Sequence, residues 1–193
     1  MIVVFHKNAE LNWKPMRAGI LLGLFSAALW GGSVAGLKWT DPTGWANEGS
    51  RPMRAATYSV PPASGDSDKS ECVVYFFGQG QGGSVESNIN RWKSQMTNAS
   101  GGPADAKVTP KTVHGLKATT IDMSGTYAGM GGPSMAPLPA KAATRFLGAI
   151  IEGPAGSVFI KFAGPSKTVS ANESKFNALV NSFQQGTQVS ASR

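Results

Sequence analysis

"RFLGAIIEGPAGSVFIKFA", residues 145–163, decides the fold. Its two halves, "RFLGAII" and "SVFIKFA", are short runs rich in aromatic and branched aliphatic residues, the composition of β-strands. Only "EGPAG", residues 152–156, lies between them. Five residues cannot hold the crossover helix that parallel neighbours require, so the two strands must pair antiparallel.

Upstream, "RAATYSV" (54–60) puts Ala56, Tyr58 and Val60 on one side and Thr57 and Ser59 on the other, the strand period. "ECVVYFF" (71–77) is apolar on both sides, as in a central strand covered on both faces. "HGLKATTIDMSGTY" (114–127) predicts a strand over 116–123, and "LKWTDPTGW" (37–45) a short extended piece ending in a Pro-Thr-Gly turn, with Trp39 and Trp45 as apolar anchors. Two helices are expected. In the first, Ser84 is the cap, and Val85, Ile89, Trp92 and Met96 recur at steps of 4, 3 and 4 along one face. In the second, "SANESKFNALVNSF" (170–183), Ser170 and Glu173 have capping-box spacing, and Phe176, Leu179, Val180 and Phe183 form the buried stripe. The expected fold is therefore α+β: an antiparallel sheet of about six strands packed by two main helices. "AGMGGPSMAPLPAKA" marks a long loop over 128–143.

The N-terminus has the pattern of an export signal. Lys14 and Arg17 precede the apolar stretch "AGILLGLFSAALW" (18–30), and Ser33 and Ala35 stand at the −3 and −1 positions of a cut before Gly36. Residues 1–35 are expected to be an N-terminal extension and signal peptide, with Met16 as an alternative start, and 36–193 a single domain that is periplasmic or extracellular. No 18-residue apolar run follows, so no stable membrane span is expected after signal removal. Without residues 1–35 the chain carries fifteen basic and ten acidic residues, a mildly basic surface with no clustered stripe, which argues against nucleic-acid binding. Cys72 is the single cysteine and lies within an apolar run, so it reads as a buried structural thiol.

"YFFGQGQGGSVESNINRW" (75–92) raises a sharper question, because Gly78, Gly80 and Gly83 have the G-x-G-x-x-G spacing of a dinucleotide turn. That turn needs a parallel sheet and an acidic residue ending a second strand about 20 residues on. The nearest candidate, Asp105, sits in "GGPADAK", a loop composition, and Ser84 stands where a P-loop has its lysine. The glycines read instead as a tight strand-to-helix connection, with Gln79, Gly80, Gln81, Gly82, Gly83 and Ser84 at the sheet rim, available to a neutral ligand or a protein partner. Of the histidines, His6 falls within the expected signal region; His114, with Asp122 or Ser124, is the alternative, a sparse enzyme site. Asp66–Glu71 lacks the glycine and the glutamate of a calcium loop, and Met123, Met130 and Met135 lack tight copper-binding spacing. No metal and no cofactor is expected.

"WTDPTGW" (39–45), "GQGQGGSVESNINRW" (78–92), "SGTY" (124–127), "FAGP" (162–165) and "FNALVNSF" (176–183) together resemble the PsbP-like fold. That group includes the extrinsic photosystem II subunit, the Ran-binding Mog proteins and exported bacterial proteins of unknown function, and the second and third segments look closest to the last of these. The resemblance implies an antiparallel sheet between helices (an α/β/α sandwich) in an accessory or binding role, and it implies no catalytic residues. The expected function is an exported, non-catalytic binding domain.

Overall fold

A computed structural model describes residues 30–128 and 141–186. Strands β1 (Trp30–Val34) and β2 (Leu37–Thr40) form a hairpin. Its two turn residues, Ala35 and Gly36, both have positive φ, the conformation that matches a two-residue turn to strand twist. Then follow β3 (Ala46–Asn47), β4 (Arg54–Val60), β5 (Ser70–Tyr75), α1 (Val85–Lys93), β6 (Met96–Thr97), β7 (Ala106–Val113), β8 (Leu116–Tyr127), β9 (Lys141–Gly153), β10 (Gly156–Pro165), α2 (Ser166–Ala171), α3 (Glu173–Ser182) and β11 (Gln184–Gln185).

The main sheet has eight strands. Its order is β3-β4-β5-β10-β9-β8-β6, with β7 paired to β8 beside β6. A second sheet joins β1, β2 and β11. Every one of these pairings is antiparallel. The β9–β10 hairpin sits at the centre, with Gly153 opposite Gly156 and only Pro154 and Ala155 between them.

Strand alternation splits the core into two layers. Cys72, Val74, Leu147, Ala149, Ile151, Val158, Ile160 and Phe162 join Val169, Phe176, Leu179, Val180 and Phe183 on the α2–α3 side. Phe146, Ile150 and Phe159 join Ile89 and Trp92 on the α1 side. Burying a side chain of this size contributes about 1.5–3 kcal/mol, so the two apolar layers hold the helices on the sheet. Cys72 is fully buried, and burial raises its thiol well above the usual range, as expected for a structural thiol.

The sheet is larger than the six strands expected. The missed strand of consequence is β7, "AKVTPKTV": it is an edge, largely exposed, and Pro110 is tolerated there because one side of an edge strand has no partner to bond. The second helix is also corrected. It starts earlier and breaks at Asn172 into α2 and α3, and no side-chain cap bond forms at Asn172. Ser170 and Glu173 do not form a capping box, because Arg145 of β9 takes both: Nη1 donates to Ser170 Oγ at 3.0 Å and Nη2 pairs with Glu173 at 2.8 Å. Of the expected 128–143 loop, residues 129–140 lie outside the described residues, as do Met130 and Met135, and Lys141–Ala143 already belong to β9. Met123 is core. Asp66 accepts from the backbone N–H and hydroxyl of Thr168 in α2, and so serves a structural bond rather than a calcium loop.

Two segments of the PsbP-like resemblance have a physical role in this architecture. In "WTDPTGW", Trp39 Nε1 donates to Tyr58 Oη at 2.8 Å, and Tyr58 in turn donates to Asp41. Trp45 Nε1 donates to Asn172 Oδ1 at 3.0 Å, tying the opening of the domain to the α2–α3 break. In "FNALVNSF", Phe183 stacks on Trp39 with ring centroids 4.9 Å apart.

Candidate functional site

β5 leaves the sheet at Tyr75, and the chain reaches α1 through the glycine turn. Gln81 N–H closes the turn on Gly78 O at 3.1 Å. Gly82 has φ +92°, and a Cβ placed there would lie 2.6 Å from Phe159 Cε2. Only glycine fits both the left-handed backbone and the close approach to that ring. Asn88, in α1 and almost fully buried, clamps the turn: its Nδ2 donates to Gly82 O at 2.7 Å and to Ser84 O at 2.9 Å, and its Oδ1 accepts from Arg91. Ser84 caps α1 as expected, accepting from Ser87 N–H at 3.1 Å. Gln79, Gly80, Gln81, Gly83 and Ser84 are exposed, and Gly82 is half-buried.

This geometry is not that of a dinucleotide site. β5 lies between β4 and β10, antiparallel to both, so no crevice opens at a parallel switch point. The first turn of α1 carries Glu86, whose charge opposes a phosphate.

Beside the turn, on the same sheet face, lies a group that reading the sequence missed. Thr57, Val73, Lys161, Gly148 and Ile121 stand in register across β4, β5, β10, β9 and β8. Lys161 is the ionisable member of this row. Its Nζ lies 5.5 Å from the Phe146 ring centroid and 6.0 Å from that of Trp92, a cation–π setting. Burial, with the neighbouring positive charge of Arg91, brings it down to about 8. Gly148 leaves room for Trp92, since a Cβ there would lie 2.7 Å from that ring. The available signal was the lysine interrupting "SVFIKFA", a strand otherwise apolar and central. The arrangement joins a rigid, neutral, exposed turn to a largely desolvated amine.

His114, Asp122 and Ser124 are not brought together. His114 sits in the β7–β8 turn, with Nδ1 2.9 Å from Phe183 O. Asp122 is six residues along β8 from Leu116, roughly 20 Å at strand rise. Both of its oxygens are taken by Arg145, at 3.0 and 2.7 Å, and these bonds raise the arginine above its ordinary range. Among the described residues, no group of three or more His, Cys, Asp or Glu side chains could hold a metal, and no helix is long and apolar enough to cross a membrane.

No protein-family model matches the chain. No curated protein matches it either. Similar solved structures include the following two. One is cyanobacterial PsbP (CyanoP) from Synechocystis sp. PCC 6803, with TM-score 0.46 and 13% identity, covering 79% of this chain and 88% of that one. The other is a Pseudomonas aeruginosa protein of unknown function described as a candidate regulator, with TM-score 0.46 and 12% identity, covering 81% of this chain and 92% of that one.

Proposed function

We propose that the protein is an exported, non-catalytic binding domain that engages a protein partner or a neutral small ligand through the rim Gln79–Ser84. The observation that carries this reading is the display of two exposed glutamines on a backbone held by Asn88 and by the fit of Gly82 against Phe159. A pre-set turn loses little entropy on binding, and carboxamides both donate and accept. A photo-crosslinking residue at Gln79 or Gln81 in the expressed full chain tests it. The control is the same residue at Lys69, exposed at the opposite end of β5. The reading predicts a discrete adduct from positions 79 and 81 that position 69 does not give; no adduct, or the same adducts from all three, refutes it.

Export is part of the proposal, and the fold bears on where the chain is cut. Cleavage before Gly36 would remove β1 from the sheet it forms with β2 and β11. The N-terminal mass of the protein recovered from the cell envelope distinguishes a domain that starts at residue 36 from one that keeps the hairpin. An uncleaved chain found only in the cytosol would end the export reading.

A further inference from the structure

On the opposite face of the sheet, α3 crosses the β7–β8 edge without covering it, leaving a groove of about 240 Å³. That is room for about eight water volumes, the scale of a small metabolite. Its floor is Leu147 and Phe176, and its walls are polar. Lys107, Thr109 and Lys111 come from β7, alternate residues and hence one side of the strand. Thr120 and Asp122 face them from β8, paired with Thr109 and Lys107. Glu173 and Asn177, one helical turn apart, come from α3.

The charges do not cancel locally. Asp122 would be the natural partner of Lys107 across the strands, yet Arg145 engages both of its oxygens and also Glu173. Among the described residues no carboxylate forms an ion pair with Lys107 or Lys111. Counting Arg145 with the two lysines against Asp122 and Glu173 leaves the groove one positive charge in excess. Lys111 makes one bond, 2.8 Å to Asn181 Oδ1, of the three an ammonium can donate. Burial pulls it below the ordinary lysine range, so its charge is incompletely compensated where it stands.

We infer that this groove binds a small hydroxylated carboxylate, with Lys111 and Lys107 holding the anion and Thr109, Thr120 and Asn177 meeting its hydroxyl groups. The carboxylate supplies the countercharge that Arg145 withholds from the lysines. Thr109 and Asn177 can both donate and accept, and Thr120, whose hydroxyl donates to Thr109 O at 3.3 Å, can still accept, which suits hydroxyls better than a plain hydrocarbon acid. The site lies across the sheet from the glycine turn and does not depend on it.

Titrations of the full chain with glycolate, malate and gluconate, followed by amide and lysine side-chain NMR shifts, test the inference, with sorbitol as the uncharged control. At least one acid is expected to give saturable shifts centred on Thr109, Lys111 and Asn177, and sorbitol none. Lys111→Gln is expected to weaken that acid at least tenfold and Lys107→Gln several-fold. Both residues lie on an edge strand, and the amide spectrum reports whether the fold is kept. Should Lys111→Gln disturb it, Lys107→Gln and the loss of binding on adding salt carry the test. No saturation by any of the three acids, equal binding of sorbitol, or binding unchanged in the folded variants overturns the inference.

Discussion

Replacing Gly82 by alanine should destabilise the domain far more than the same change at Gly80, two residues away in the same turn. Both glycines have positive φ, +92° and +69°. A left-handed backbone costs an L-residue about 1–2 kcal/mol, so each variant carries that term. They differ in what the new methyl meets. At Gly80 nothing lies within 4 Å. At Gly82 the methyl would lie 2.6 and 2.9 Å from two carbons of Phe159 and 3.0 Å from Phe77 Cδ2. Non-bonded carbons sit at about 3.5–4.0 Å, so one of the rings must move. Phe159 is 2% exposed and packs against Phe77 at 5.5 Å between centroids, so it has little room to yield. Overpacking of a filled core adds about 1–3 kcal/mol. Gly82→Ala is thus expected to lose about 2–5 kcal/mol and Gly80→Ala about 1–2 kcal/mol. Urea unfolding of both variants beside the parent measures this, read as midpoint shifts at constant slope. Losses within about 0.5 kcal/mol of each other would refute the close-packed turn and, with it, the pre-set backbone on which the binding reading rests.

Three further expectations follow from the same structure. Asn88→Ala removes both carboxamide bonds to the turn and should cost about 1–3 kcal/mol by thermal or urea unfolding, with amide exchange accelerating over 78–84. Tyr58→Phe leaves the buried Trp39 N–H without its acceptor and should cost about 1–3 kcal/mol, with a change in tryptophan fluorescence. Lys161 sits near 8 in the fold against about 10.4 unfolded, so the unfolded chain binds the extra proton between those values and stability rises with pH there. The stability of the parent minus that of Lys161→Met should therefore climb by about 2–3 kcal/mol from pH 7 to 10, and a flat difference would place the amine in water.

The antiparallel architecture was legible in the sequence because it depends on chain connectivity. A five-residue link between two apolar runs forbids a parallel crossover whatever the rest of the molecule does. Helix α1 was legible through the spacing of Val85, Ile89 and Trp92 and Ser84 through its cap, since both are local, but the helix ends at Lys93, and Met96, expected on its face, lies in β6. The edge strand β7 was not, because an exposed strand needs no apolar alternation, and Pro110 mimics a loop. The capping box at Ser170 and Glu173 failed for a different reason: Arg145 is distant in sequence and becomes a neighbour only once β9 lies beside α2 and α3.

The candidate sites divide the same way. That the glycine run is a strand-to-helix connection was open to reading, for the chemistry of a dinucleotide turn requires companions that this sequence lacks. Which glycine is indispensable was not, because the ring that excludes a methyl at Gly82 comes from Phe159, on a strand more than seventy residues later. The residues themselves determined an α+β chain with a turn-rich surface. Only the tertiary structure decided that Lys161 would be desolvated between two rings, and that Arg145 would draw two carboxylates away from Lys107 and Lys111. Burial and charge compensation are properties of neighbours in space, and the sheet register chooses those neighbours.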